Sequence, residues 1–273
     1  MTRIIAIVNQ KGGVGKTTTA VSLSACLASM GVRVLLVDFD PQCNTTSGLG
    51  FREKSTEKNI YLAFAGKRSL EEHIVETGRA NLSLVPSTPD LSGAETELQA
   101  DADKFSVLKE ALGTINGRYD VVLIDCPPSL SLLTVNALTA ADSILVPIQC
   151  EYYGLEGLGQ LTRTIDLIRQ KLNRGLVIEG ILLTMCDMRT NLAQQVASEV
   201  RRFFGDKVYE TYIPRNVRLS EAPGFGKPII EYDPNSTGAR SYLELAREFL
   251  AGYPEMGSST RDDTGEEVAK SLG

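Results

Sequence analysis

The stretch that decides the fold is Arg3-Ile4-Ile5-Ala6-Ile7-Val8-Asn9-Gln10-Lys11-Gly12-Gly13-Val14-Gly15-Lys16-Thr17-Thr18. A β-branched apolar run ends at a glycine cluster. Residues 17–30 then carry Ala20, Leu23, Ala25, Leu27 and Met30 in a helical pattern that Gly31 stops. Strand, glycine loop and helix in that order are the context a P-loop requires. The glycines let successive backbone N–H groups converge on phosphate oxygens, and the N-terminus of the helix adds its dipole.

The spacing predicts that Gly12, Gly13, Val14, Gly15 and Thr18 line a phosphate cradle. Lys16 would reach the β- and γ-phosphates, and the Thr17 hydroxyl would coordinate Mg²⁺. The strict pattern expects glycine at position 10. Gln10 stands there, followed by a second lysine, Lys11. One lysine suffices within a subunit. If Lys11 points outward, two copies meeting face to face would each set it on the other's phosphates, making nucleotide binding and dimerisation one event.

Working outward, Val37-Asp38-Phe39-Asp40-Pro41-Gln42 follows a second apolar run, residues 34–37. Strand ends of a parallel sheet line the ligand crevice, and alternation puts Asp38 and Asp40 on the same side of the chain. Asp40 is the expected water-positioning carboxylate and a metal candidate. Asp38 is expected to be structural or to lie in the Mg²⁺ shell. Asp120-Val121-Val122-Leu123-Ile124-Asp125 is four apolar residues ending in Asp, the Walker B pattern, so Asp125 is the expected metal carboxylate. Cys126-Pro127-Pro128 cannot continue a ladder, so the chain turns there.

The rest of the chain alternates in the same way. Further strands are expected at 82–85, 143–148 and 176–183. Helices are expected at 59–64, 70–74, 103–112, 130–138, 157–171, 192–204 and 239–250. The fold class is α/β: one P-loop domain, residues 1–253, with a mostly parallel twisted sheet and helices on both faces. Residues 51–101 are less regular and read as an elaboration of that domain. Residues 254–273 are expected to be a disordered polar, acidic tail.

Composition excludes other classes. Apolar residues are 42% and charged residues 23%, which suits a globular chain. No apolar run approaches the ~20 residues of a membrane span. Five cysteines, none closer than seventeen positions to the next, make an odd number with no CxxC, which fits a reducing cytoplasm and cysteines that fill the core. The single histidine, His73, sits in Glu71-Glu72-His73 and reads as a surface helix residue. Tyr152 and Tyr153 read as packing beside the crevice, with a partner contact as the alternative. The net charge is -6, but residues 189–240 hold eight basic and six acidic side chains, so a local basic face is available.

KGGVGKTTT (11–19), VDFDPQ (37–42), DCPPSL (125–130), QCEYYGLEGL (149–158) and IPRNVRLSEAPGFGKPI (213–229) together resemble the deviant Walker A ATPases. Within them they resemble the ParA/Soj partition ATPases, over Arg3 to about Tyr253. The resemblance implies an ATP-driven sandwich homodimer that binds double-stranded DNA non-specifically. It implies release when a ParB-like centromere-binding partner stimulates hydrolysis, and a cytoplasmic protein on the nucleoid when ATP-bound. It also implies that Lys11 is the cross-subunit lysine, Lys16 the P-loop lysine, Asp40 the hydrolytic aspartate, and that Pro214 and Asn216 lie against the adenine. DNA contacts carry over to Arg189 and Arg218; Arg201, Arg202 and Lys227 are weaker candidates. Because the chain starts at its first strand, no helix-turn-helix extension and no operator-specific binding are expected. A MinD-like membrane-cycling ATPase is the first rival, disfavoured by the acidic end at Asp262, Asp263, Glu266 and Glu267. The absent CxxC disfavours an iron–sulfur carrier. A metabolic P-loop ligase or kinase lacks a recognisable acceptor motif.

Overall fold

A computed structural model describes residues 2–51, 57–66, 68–151 and 156–257. Seven strands form one sheet: β1 (Arg3–Ile7), β2 (Val34–Asp38), β3 (Val75–Arg79), β4 (Leu82–Val85), β5 (Val121–Asp125), β6 (Ser143–Gln149) and β7 (Val177–Thr184). Their order is β3-β4-β2-β5-β1-β6-β7, and among the described residues only the β3–β4 pairing is antiparallel. The helices are α1 (Lys16–Ser29), α2 (Asn44–Gly48), α3 (Ile60–Phe64), α4 (Leu91–Glu97), α5 (Val107–Gly113), α6 (Leu132–Ala140), α7 (Glu156–Lys171), α8 (Asn191–Phe204), α9 (Val217–Glu221), α10 (Ile229–Tyr232) and α11 (Thr237–Ala251).

The central strands are apolar because both their faces are covered. Every residue of β2 and β5 is buried. Alternation along β1 sends Ala6 and Val8 into one core and Ile5 and Ile7 into the other. The first core is closed by α3 to α8. The second is closed by α1 and α11, whose Leu23, Leu27, Tyr242 and Leu245 are fully or almost fully buried. Each such side chain contributes roughly 1.5–3 kcal/mol of transfer free energy. Small residues in α1 (Ala20, Ser24, Ala28) keep it close to the sheet, which holds the loop before it at the strand ends.

The expected strands all form. Three expectations need correction. Residues 51–101 add an antiparallel edge strand, β3, whose half-exposed Val-Glu-Thr-Gly-Arg carries too little apolar character to announce itself. Residues 70–74 make one 3₁₀ turn, Leu70–His73, in place of a helix. His73 is not on the surface: it is 3% exposed, and neither ring nitrogen has a hydrogen-bond partner. Its neighbours Glu71 and Glu72 are exposed, which is why the local sequence reads as surface. The five cysteines are buried and none is in a disulfide, as expected of core fillers. Tyr152, Tyr153 and residues 258–273 lie outside the described residues. Among the described residues no helix is long and apolar enough to cross a membrane.

Candidate nucleotide-binding site

Ile7 pairs with Asp125 of β5, and Asp38 of β2 pairs with the same residue from the other side. The sheet's C-terminal edge therefore brings Asp38, Asp125 and the loop after β1 to one point. Gly13 and Gly15 have φ of 75° and 90°, a backbone region side chains rarely adopt. A methyl group built on Gly12 or Gly13 would meet no atom within 4 Å, so the loop faces open space rather than packed protein. Asn9 supports it from below: its side chain accepts from the Lys11 N–H at 3.0 Å and donates to the Pro147 carbonyl at 2.7 Å. Thr184 supports it from the side, donating to the Val14 carbonyl at 2.8 Å.

Lys16 is buried and folds back so that Nζ donates to the Lys11 carbonyl at 3.3 Å. Burial lowers its pKa, while Asp125, Cys126 and Asp40 pull it back up. Lys11 itself is half-buried. The Thr17 hydroxyl donates to Asp125 Oδ2 at 2.8 Å, and the Thr45 hydroxyl donates to the same oxygen at 2.7 Å. Asp125 Oδ1 is buried with no partner. Burial raises the Asp125 pKa to about 6, against the pull of those two hydroxyls and Lys16. An unpaired buried carboxylate oxygen is costly, and this one lies beside a phosphate-type loop. Asp125 and Thr17 thus have the oxygen chemistry of a hard divalent cation site.

Asp38 is spoken for. It is fully buried and accepts from the Thr46 hydroxyl at 2.6 Å and the Thr46 N–H at 2.8 Å. Burial, reinforced by Asp125, lifts its pKa to about 8. These contacts with Thr46 tie Asp38 to the start of α2. Asp40 is also buried, and its Oδ1 caps the turn by accepting from the Gln42 N–H at 2.9 Å. The structure therefore brings together Lys11, Lys16, Thr17, Thr18, Asp40 and Asp125.

Pro214 bridges to Cys186 beyond the end of β7, and Asn216 caps α9. The Asn216 side chain accepts from the Arg218 N–H at 2.8 Å and donates to Thr237 Oγ1 at 2.6 Å. Arg189 and Arg218 lie on the exposed rim, with side chains 90% and 52% exposed. Both are already ion-paired: Arg189 with Asp187 at 2.8 Å, Arg218 with Glu221 at 2.8 Å and Asp233 at 3.4 Å. Arg201 pairs with Glu210 and Arg202 with Glu199. Sequence reasoning missed Asn9, Thr45, Thr46 and Thr184. A hydroxyl pair just after Asp40 and an amide at the strand end were the available signals.

A glycine-rich loop between strand and helix, a buried lysine in it and a carboxylate with a free oxygen at the next strand end define the P-loop ATPase class. The chain matches the AAA domain family over residues 2–178. It is 57% identical over 92% of its length to the sporulation initiation inhibitor protein Soj of Bacillus subtilis, covering 99% of that protein. It is 50% identical over 92% of its length to the chromosome-partitioning ATPase Soj of Treponema pallidum, covering 98% of it. Among solved structures, a cobyrinic acid a,c-diamide synthase from Mycobacterium smegmatis with bound ATP analog and magnesium superposes with a TM-score of 0.82. It is 38% identical, over 93% of this chain and 96% of that one. The chain belongs to the Soj/ParA family of chromosome-partitioning proteins, and it is an ATPase.

Proposed function

We propose that this ATPase drives DNA partition through an ATP-bound homodimer that holds double-stranded DNA without sequence preference. A ParB-like centromere-binding partner would stimulate hydrolysis and release it. The observation that carries the ATP part is the orphaned Asp125 Oδ1 beside the open loop and Lys16. ATP and Mg²⁺ fit this site. The backbone N–H groups from Gly12 to Thr18 and the Lys16 ammonium bind phosphate oxygens. Thr17 and Asp125 hold the Mg²⁺, which when bound neutralises charge developing on the phosphates. Asp40 orients the attacking water, and Lys11 reaches the facing protomer's phosphates. Pro214 and Asn216 flank the adenine. Residues 1–253 form the working domain.

The DNA part rests on Arg189 and Arg218, exposed on the rim and doubled in a dimer. Their carboxylate partners must be exchanged for phosphates, so the interaction should be strongly salt-dependent. The name of the Mycobacterium smegmatis structure favours a second reading, a small-molecule amidating enzyme. The partition relatives match at higher identity over nearly their whole length, and that supports the first. Co-sedimentation of the Asp40→Ala protein with DNA separates the two, using ATP, ADP or no nucleotide across a salt series. Binding only with ATP, lost steeply with salt, is expected. No binding under any condition would overturn the DNA reading and direct the search to small substrates.

A further inference from the structure

The short helix α2 touches the site at one end and a distant arm at the other. At its start, Thr45 is fully buried with its hydroxyl on Asp125 Oδ2, and Thr46 is held by Asp38 and by the Ser87 N–H at 2.9 Å. Its end is tied to its start, because Leu49 N–H donates to the Thr45 carbonyl and Phe51 N–H to the Thr46 carbonyl. Beyond it, Gly50 (φ 89°) lies against Gly226 (φ 63°). A methyl group on Gly226 would come within 2.5 Å of Gly50 Cα, so the two backbones leave no room to slide past each other. Arg79 clamps this crossing. Its guanidinium donates to the Leu49 carbonyl at 3.3 Å, to the Gly226 carbonyl at 3.2 Å, and to the Glu231 carboxylate at 2.6 and 3.0 Å. The segment so clamped, residues 216–232, carries Asn216 and Arg218.

We propose that α2 transmits the state of the Asp125 carboxylate to residues 216–232, with Thr45 and Arg79 as positioning residues at its two ends. The inference rests on the reading of Asp125 and Thr17 as the cation's ligands. Two hydroxyls now share Oδ2. When Thr17 turns to the cation, Thr45 is left as the hydroxyl on that oxygen, and any reorientation of the carboxylate is carried into α2. A planar guanidinium spanning two carbonyls and a carboxylate is suited to hold three segments in one register, which a single point charge is not. Neither residue needs to touch nucleotide or DNA for this.

The test is hydrogen–deuterium exchange on the full chain with a non-hydrolysable ATP analogue, in Mg²⁺ or in EDTA. A Lys11→Ala background keeps protomers apart. Mg²⁺-dependent protection is expected at residues 121–125, 44–50 and 226–232. Thr45→Val should lose it at 44–50 and 226–232 and keep it at 121–125, and Thr45→Ser should restore it. Arg79→Ala should lose it only at 226–232. Glu231→Gln, which loosens the clamp without removing the arginine, should weaken it there and guards against an unfolded Arg79→Ala protein. Protection at 226–232 that survives both Thr45→Val and Arg79→Ala would overturn the link alone. No Mg²⁺-dependent change at 121–125 in the parent would overturn the metal reading and the link with it.

Discussion

Asp125 and Asp187 are both aspartates just at or past the C-terminal end of a parallel strand, and they could hardly differ more. Asp125 is fully buried, its pKa is pushed up to about 6, and one of its oxygens has no partner. Asp187 lies on the rim, and two hydrogen bonds from the Arg189 side chain help hold its pKa down to about 2. The fold carries the desolvation cost of Asp125 at the centre of the sheet, and on the proposed reading a bound cation would relieve it. The rim is already neutralised by its own acids. A polyanion there must displace carboxylates that water and salt screen well. The centre should therefore respond to substitution by losing chemistry, and the rim by a change in salt dependence.

The largest effect expected is at Asp40. Asp40→Ala should slow ATP hydrolysis by roughly 10²–10⁴-fold, the range of a positioned proton acceptor, and leave nucleotide affinity nearly intact. Single-turnover hydrolysis at near wild-type rate would remove Asp40 from the chemistry. Lys16→Ala comes next. Loss of a hydrogen bond to a charged group costs about 1.5–3 kcal/mol, or roughly ten- to a hundredfold in ATP affinity. A fluorescent-nucleotide titration giving unchanged affinity would break the assignment of the loop.

At the rim the expected change is smaller and of another kind. Arg189→Glu and Arg218→Glu should leave ATP-dependent dimerisation alone. Each should reduce the slope of log affinity for DNA against log salt by about 0.9 for every phosphate it no longer neutralises. Equal slopes for wild type and both variants would show that DNA, if held, is held elsewhere. On these expectations the contrast with Lys16 is sharp: that lysine would set whether nucleotide binds, and the rim arginines how strongly DNA binding responds to salt.

The centre was largely legible in the sequence because its parts are local. Glycine, lysine and threonine at fixed spacing after an apolar run, and an aspartate ending a run of four apolar residues, carry their meaning wherever they occur. Asp38 was ambiguous for the opposite reason. Its surroundings are Thr46, eight positions away, and Asp125 on a neighbouring strand. Thr45 meets Asp125, eighty positions on, only through the fold. Arg79 sits in a weak edge strand and finds Glu231 only through the tertiary structure. The rim arginines could be named from the resemblance, but their carboxylate partners could not.

His73 sharpens the comparison from a third direction and carries the smallest effect. Like Asp125 it is buried with polar atoms unpartnered, but it precedes the antiparallel edge strand β3 and does not end a central parallel one. Burial lowers its pKa below 6.5, with Arg68 and Lys58 adding to the shift and Glu72 opposing it. The unfolded chain therefore takes up a proton below pH 6.5 that the native state refuses. Stability should fall as pH drops from 6.5 toward the native value, and the loss should be complete below it. His73→Phe removes that dependence while filling the same space. Thermal melts of wild type and variant should diverge on the acid side and run parallel above pH 7.5, with ATP hydrolysis equal throughout. Curves that stay parallel down to pH 5 would mean that His73 is protonated in the folded chain. A fall in ATP hydrolysis would mean that its unpaired nitrogens, like the free oxygen of Asp125, belong to the working site.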